Sequence, residues 1–112
     1  MSIHEDVDGG LTDHILCEVK AGEMSQDLHI DLISVSLESD PGAGKSIAVS
    51  ITNGVSTITA TVSDTDTSAH SSTNEFDWDA SAQDLTVSYT STGGAQAGHG
   101  TFRIDYHHIV IT

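Results

Sequence analysis

The sequence contains little of what marks a crosslinked domain or an aromatic binding site. Cys17 is its only cysteine, so no internal disulfide can form within the chain. Because it lies in the stretch HILCEVK, we expect Cys17 to be a buried, inert thiol rather than a nucleophile. Aromatic residues make up 4% of the chain, so the core must be built mainly from Ile, Val, Leu and Ala.

Basic residues are also scarce, with 3 Lys and Arg against 17 Asp and Glu, for a formal net charge of -14. A phosphate backbone would be repelled by this charge, so nucleic acid is the least expected partner. The acidity is explained most simply by solubility. The alternative is an acidic patch that binds cations or meets a basic protein surface.

Long apolar runs are absent, since none approaches the roughly 20 residues that a membrane span requires. We therefore expect no transmembrane segment. The first ten residues, MSIHEDVDGG, are acidic and have neither a basic leader nor an apolar stretch, so we expect no secretory signal there. A length of 112 residues corresponds to one domain.

What the sequence does contain, from His14 onward, is alternation of apolar and polar residues, which predicts strands. The clearest unit is SIAVSITNGVSTITATVS, where Asn53-Gly54 between two alternating runs predicts a hairpin. Between Leu28 and Leu37 the alternation slips by one residue, which predicts a β-bulge or a bend between sheets. No segment has a helical period. The chain is predicted to be all-β, a single antiparallel β-sandwich of about eight strands, jelly-roll or immunoglobulin-like.

Residues 1–13 are acidic, contain Gly9-Gly10 and show only scattered apolar groups, so we expect an extended N-terminal arm ahead of a sandwich domain at 14–112. Ser and Thr together account for 28 residues and suit exposed strand faces. We expect the arm, together with loops at 40–45, 64–74 and 92–100, to form the interface with partners.

Two motifs resemble ligand loops but fail on spacing. The segment from Pro41 to Ser46, PGAGKS, is similar to the end of a P-loop, but Ser39 stands where the first glycine is needed and a strand pattern follows the lysine. The carboxylates Glu5, Asp6 and Asp8 resemble the start of a calcium loop, but Cys17 stands at the position that requires glutamate.

Better candidates for a weak cation site are Asp64, Asp66, Asp77 and Asp79. The last two alternate with Phe76, Trp78 and Ala80, which we expect to point inward, so we interpret these carboxylates as a solvated face.

The chain has seven histidines, but no H-x-H pattern or second cysteine gives a recognised zinc spacing. His107 and His108 are adjacent, so they point to opposite faces of a strand. A trimer axis could still bring three copies of one histidine together. The chain also lacks a G-x-S-x-G elbow. We therefore predict no catalytic, cofactor-binding or metal-binding residues, no cofactor and no enzyme activity.

The stretch from Val35 to Ile111 resembles small virion proteins of tailed bacteriophages in the order of its features. A strand ending in SVSLESDPGAGKS leads into SIAVSIT, then ITATVS, the linker DTDTSAHSSTNEF, the segment SAQDLTVSYTSTG and a closing strand. The resemblance implies a jelly-roll-like sandwich that serves as a capsid decoration protein, a head fibre or part of a tail. It implies no catalytic residues.

We therefore expect a non-enzymatic virion structural protein of a tailed bacteriophage, foremost a capsid decoration (cement) protein on the head exterior, assembled in the host cytoplasm. The alternatives are a tail or fibre component and a carbohydrate-binding adhesin module. The expected partners are capsid or tail proteins of the same virion and further copies of the chain, as a homotrimer or other homo-oligomer. Neither nucleic acid nor membrane is an expected partner.

Overall fold

A computed structural model describes residues 1–7, 9–71, 75–93 and 98–109, which form nine β-strands and measure 49 × 22 × 21 Å. The strands are β1 (Ser2–Val7), β2 (His14–Val19), β3 (Leu28–Leu37), β4 (Gly42–Thr52), β5 (Thr57–Asp64), β6 (Ser68–His70), β7 (Phe76–Trp78), β8 (Leu85–Thr92) and β9 (Gly98–His108). In this part of the chain no helix is long and apolar enough to span a bilayer.

The strands form two antiparallel sheets. One has the order β1-β9-β3-β6, with β7 also pairing with β3, and the other has the order β2-β8-β4-β5. The pairs are nested around the β4–β5 hairpin, because β3 pairs with β6, β2 with β8 and β1 with β9. One long antiparallel ribbon is thus wrapped into two facing sheets, which is the connectivity of a jelly roll rather than of an immunoglobulin domain. The all-β sandwich expected from the sequence is confirmed.

The slip in alternation between Leu28 and Leu37 is a β-bulge within the single strand β3. The register against β9 shifts between Ile30 and Leu32, so the buried set changes from Leu28 and Ile30 to Ile33, Val35 and Leu37. Leu32, at the bulge itself, is only half-buried. A bulge keeps both apolar sets on the core side, since an uninterrupted period of two would expose one of them.

The predicted hairpin is also present, with β4 and β5 paired from Ser46↔Ser63 to Thr52↔Thr57. Its loop spans four residues, 53–56, and is organised by the Asn53 side chain. The Asn53 Oδ1 atom accepts the N–H groups of Val55 (2.9 Å) and Ser56 (2.7 Å), and Gly54 has the positive φ of 91° that this turn requires.

Two strands were not expected individually. Residues 2–7, within the segment predicted as an arm, form β1 at the edge of the first sheet, where Val7 is buried. The role of residues 1–13 as an arm toward a partner stays a prediction. The strand β6 lies in a stretch interpreted as a polar linker, because three residues, Ser-Ala-His, are too short to show alternation.

Between the sheets lies one core of aliphatic side chains with a few aromatic rings. Trp78 is fully buried and donates its indole N–H to the Gln83 carbonyl oxygen at 3.0 Å. Cys17 packs against the core but is only half-buried, because the register of β2 shifts between Ile15 and Cys17; the expectation of a buried thiol is met only in part. Val110 and Ile111, at the end of the predicted last strand, lie outside the described residues.

Candidate interaction surface

The outward side chains of β8, β4 and β5 form a surface that we call the hydroxyl face. In each of these strands the core residues alternate with residues that point away from the core, and the register aligns the outward residues in rows across the three strands. The rows are Thr86–Thr52–Thr57, Ser88–Ser50–Thr59, Thr90–Ala48–Thr61 and Thr92–Ser46–Ser63. Every member except Ala48 carries a hydroxyl group, and none is charged.

Several of these hydroxyl groups bond to one another or to the nearby turn. Ser50 and Thr59 share a hydrogen bond of 2.9 Å between their side-chain oxygens. Thr57 donates to the Thr52 hydroxyl at 3.0 Å, and Thr52 donates in turn to the Ser56 carbonyl oxygen at 2.9 Å. These bonds order the side chains across the strands, so the face presents fixed donors, acceptors and methyl groups.

Charged residues border the hydroxyl face along strand β2. There Asp13 meets the Thr90 hydroxyl through its backbone N–H at 3.0 Å, and Glu18 lies 3.5 Å from the Thr86 hydroxyl. Lys20 pairs with Glu18 at 2.9 Å and with Asp84 at 3.5 Å. The hydrogen bond that Lys20 donates to Glu18, followed by the charges of Glu18 and Asp84, raises the pKa of Lys20. The border of the hydroxyl face along β2 is therefore acidic, and Lys20 offsets part of its negative charge.

The outer face of the other sheet has the opposite character. Its strands β1, β3 and β9 present charged and imidazole side chains that contact one another between strands and, for Arg103 and Asp105, along β9. The His4 and His99 rings stack at 5.7 Å, His107 contacts Asp31 at 2.9 Å, and Arg103 pairs with Asp105 at 2.8 Å. The charge of the protein is therefore distributed unevenly between its two faces.

The segments predicted from the sequence as interface loops come together at one end of the sandwich, which we call the loop end. The described parts of the three loops are 40–45, 64–71, 92–93 and 98–100. Residues 9–13 of the expected arm join them, whereas residues 2–7 run along the sheet edge as β1. The contacts that join this end are Leu11 with Ser91, Gly44 with Asp64, Glu38 with His99 and Leu37 with Thr67. Lys45 also packs so closely on Gly93 that a Cβ there would lie 3.0 Å from its Cγ atom. Residues 72–74 and 94–97 lie outside the described residues.

The P-loop mimic begins β4, so no helix follows Lys45 to hold a phosphate. The backbone in this stretch is irregular, with positive φ at Gly42 and Gly44 and a shift in register between Gly42 and Ser46. The Gly44 N–H, which would face a phosphate in a P-loop, donates instead to the Asp64 carboxylate at 2.8 Å.

The four candidate aspartates have separate surroundings. Asp64 accepts from Gly44, Asp77 contacts the His29 ring at 2.6 Å, and Asp79 accepts from the Ser81 hydroxyl at 2.8 Å. The Ser81 hydroxyl, and then the Ser81 backbone N–H, hold the pKa of Asp79 below its ordinary value. Asp66 is exposed, as are the other three. Of the N-terminal carboxylates, Glu5 pairs with His14 at 3.2 Å, Asp6 lies 3.7 Å from His99, and Asp8 is outside the described residues.

His107 and His108 point in opposite directions, as predicted from their adjacency: His107 contacts Asp31, while His108 lies against the Tyr106 ring. The contacts of His29 with Asp77 at 2.6 Å and with Glu75 at 2.7 Å were not predicted from the sequence. The sequence does show two stretches in which ionisable residues flank a buried apolar residue, His29-Ile30-Asp31 and Glu75-Phe76-Asp77. The pairing of these two stretches could not be deduced from either of them alone.

Two concave surfaces of the described residues, an open depression and a small cavity, are candidates for a binding site. An open depression of about 670 Å³ lies beside β6, where Ser34 pairs with His70. Among the described residues, no hydrogen bond joins the side chains of Ser34 and His70, so they do not form the contact between a nucleophile and its base that a hydrolytic site requires. A cavity of about 80 Å³ at the opposite end of the sandwich from the loop end is lined by apolar residues that include Met1, Trp78 and Tyr106. Of the five aromatic residues Phe76, Trp78, Tyr89, Phe102 and Tyr106, only Tyr106 is exposed, although its spacing from Phe102 and Ile104 in the sequence favours the inward side of β9.

The fold and the surface define a class: an acidic jelly-roll sandwich with one uncharged, hydroxyl-lined sheet face. No family model, no curated protein and no solved structure matches the chain.

Proposed function

We propose that this chain is a non-enzymatic virion structural protein, a capsid decoration protein on the head exterior, that attaches to its partner through the hydroxyl face and the adjoining loop end. The observation that carries the proposal is the charge-free sheet face on a chain with a net charge of -14. The centres of specific interfaces are depleted of charged residues, whereas the rest of this surface repels acidic neighbours.

The size of the surface supports a composite contact. Three strands about 4.8 Å apart, each contributing about seven residues at about 3.4 Å, cover roughly 340 Å² in projection. A stable specific interface buries about 800 Å² on each partner. The hydroxyl face therefore needs the adjoining loops, and Gly44, Lys45 and Gly93 lie beside its last row. The outer edge of β5, the last strand of its sheet, has no strand partner among the described residues, so its backbone groups can pair with a partner strand.

The fold is consistent with this role, because jelly rolls recur in viral capsid domains, although lectins and cupins use the same architecture. The partner is a capsid protein whose docking surface is uncharged or weakly basic, and further copies of the chain would occupy equivalent positions, as a homotrimer or other homo-oligomer. An adhesin that stacks sugars on aromatic rings is less well supported, since Tyr106 is the one exposed aromatic side chain.

Co-sedimentation with undecorated capsids tests the proposal. Thr59→Asp places a charge on β5, the outer strand of the hydroxyl face, and Ser2→Asp is the matched control at an exposed position of the other sheet, at the end away from the loop end. We expect the wild type and the control to co-sediment and Thr59→Asp to bind at least tenfold more weakly, because a buried charge there has no partner. Both variants should keep the wild-type circular dichroism spectrum.

A wild-type chain that stays in the supernatant would contradict the proposal, and equal binding by Thr59→Asp would contradict the assignment of the face. Electron microscopy of labelled virions separates the head from the tail. Label on tails or fibres would favour the alternative of a tail or fibre component.

A further inference from the structure

Five side chains on the outer face of the first sheet form what we call the His29 cluster: His29, Asp31, Glu75, Asp77 and His107. They come from β3, β7 with the residue before it, and β9, and the register places His29 opposite Asp77 on one side and opposite His107 on the other. His29 is the least exposed member, at 24% of its side-chain surface, and Asp31 is exposed by 35%. The cluster lies on the opposite sheet from the hydroxyl face and is independent of the proposed function.

Both nitrogen atoms of the His29 ring face carboxylate oxygens. The Nδ1 atom lies 2.6 Å from Asp77 Oδ1, and the Nε2 atom lies 2.7 Å from Glu75 Oε1 and 3.6 Å from Asp31 Oδ1. One ligand atom each from His29, Asp31 and Glu75 lies within 4.8 Å of the other two. In a tetrahedral zinc site with metal–ligand bonds of about 2.0–2.2 Å, neighbouring ligand atoms are about 3.3 Å apart. Rotation of the Asp31 and Glu75 side chains can bring the ligand atoms from their present distances to this spacing.

The remaining two members of the cluster, Asp77 and His107, orient His29 and Asp31 by hydrogen bonds. Asp77 accepts from Nδ1 of His29, which fixes the ring with Nε2 directed at the other two carboxylates. His107 contacts the second oxygen of Asp31 at 2.9 Å, and the rings of His107 and His29 lie 4.8 Å apart. Partners of this kind, a carboxylate on the distal nitrogen of a histidine and a donor on the free oxygen of a carboxylate, orient metal ligands in proteins.

We propose that His29 Nε2, Asp31 Oδ1 and Glu75 Oε1 bind one zinc ion per chain, with solvent as the fourth ligand. The imidazole selects zinc over calcium or magnesium, which prefer oxygen ligands, and three protein ligands with one open position are compatible with tetrahedral coordination. The ion would connect β3 to the residue that precedes β7, and so fasten a strand of three residues to the sheet.

Isothermal titration calorimetry with zinc chloride on the metal-stripped full chain, free of any histidine tag, tests this site. The decisive variants are His29→Gln and Glu75→Gln, and Glu75 is 60% exposed, so the second variant leaves the fold intact. The matched control is His99→Gln, because His99 stacks on His4 and faces Asp6 at 3.7 Å, which makes it the rival imidazole–carboxylate group. We expect one zinc ion per chain, affinity lowered at least tenfold by either decisive variant, and affinity unchanged in the control.

The proposal would be overturned by the absence of saturable binding, by affinity that survives Glu75→Gln, or by loss of affinity in His99→Gln instead. A titration with calcium chloride provides a second criterion. Calcium binding as tight as zinc binding would show that the imidazole takes no part, which would also overturn the assignment.

Discussion

Replacement of Asn53 by alanine is expected to destabilise the protein by about 2–3 kcal/mol, because one buried side chain organises the β4–β5 turn and links it to β7. Its Oδ1 atom accepts two backbone N–H groups, and its Nδ2 atom donates to the Asp77 carbonyl oxygen at 3.0 Å. A hydrogen bond of this kind contributes about 0.5–1.5 kcal/mol net. Val55 is 85% exposed, so water can replace the hydrogen bond that its N–H group loses. The expected loss of stability is therefore smaller than the largest value that three such hydrogen bonds could contribute.

The measurement is urea unfolding followed by the fluorescence of Trp78, the single tryptophan. With a slope of about 1.2 kcal/mol/M, the expected loss lowers the midpoint by about 2 M at an unchanged slope. Val55→Ala is the control, since it alters the same loop without removing a bond of Asn53 and should stay within about 0.5 kcal/mol of wild type. A midpoint for Asn53→Ala within that range would refute the reasoning that this side chain organises the turn.

Two further predictions concern close packing and pH. Gly100→Ala should destabilise the protein by about 1–3 kcal/mol in urea unfolding, since the new Cβ would lie 2.8 Å from Val7 Cγ2, while Ser36→Ala on an exposed site should be neutral; a neutral Gly100→Ala would show that β1 is not packed as described. In chelator-treated protein, the hydrogen bonds that the protonated His29 ring donates to Asp77 and then to Glu75 raise the pKa of His29 above 6.5. The stabilising contribution of His29 is therefore complete below pH 6.5 and is lost as the pH rises through the higher folded-state pKa. NMR titration of the histidine ring protons should show this pKa raised in the wild type and closer to 6.5 in Asp77→Asn, and equal values in the two proteins would contradict the contacts.

Local pattern was sufficient to predict the elements whose signal lies within one stretch. The Asn53-Gly54 hairpin, the bulge in β3 and the inward direction of Phe76 and Trp78 each follow from alternation or turn chemistry read over ten residues or fewer. The same reasoning fails for β6, whose three residues are held by pairing with Ser34–Ser36 and carry no pattern of their own. Alternation is also insufficient for Tyr106, which alternates with Phe102 and Ile104 but lies beside the small cavity at the end of the sandwich opposite the loop end.

The candidate surfaces depend on pairing between distant strands, which a single stretch of sequence does not encode. Each strand of the hydroxyl face shows Ser and Thr at alternate positions, but only the order β8-β4-β5 joins them into one uncharged surface. The His29 cluster likewise requires β3 to lie between β7 and β9, which brings together residues separated in the chain by 46 and 76 positions.

Hydrogen–deuterium exchange on free and capsid-bound protein tests most directly the claim that the chain docks through the hydroxyl face. Our account predicts slower exchange on binding in peptides that cover β5, Thr57–Asp64, because its outer edge has no strand partner among the described residues of the free chain. Peptides that cover β1, Ser2–Val7, at the edge of the opposite sheet, should be unchanged. Protection confined to β1 and its neighbours, with β5 exchanging as in the free protein, would contradict the account.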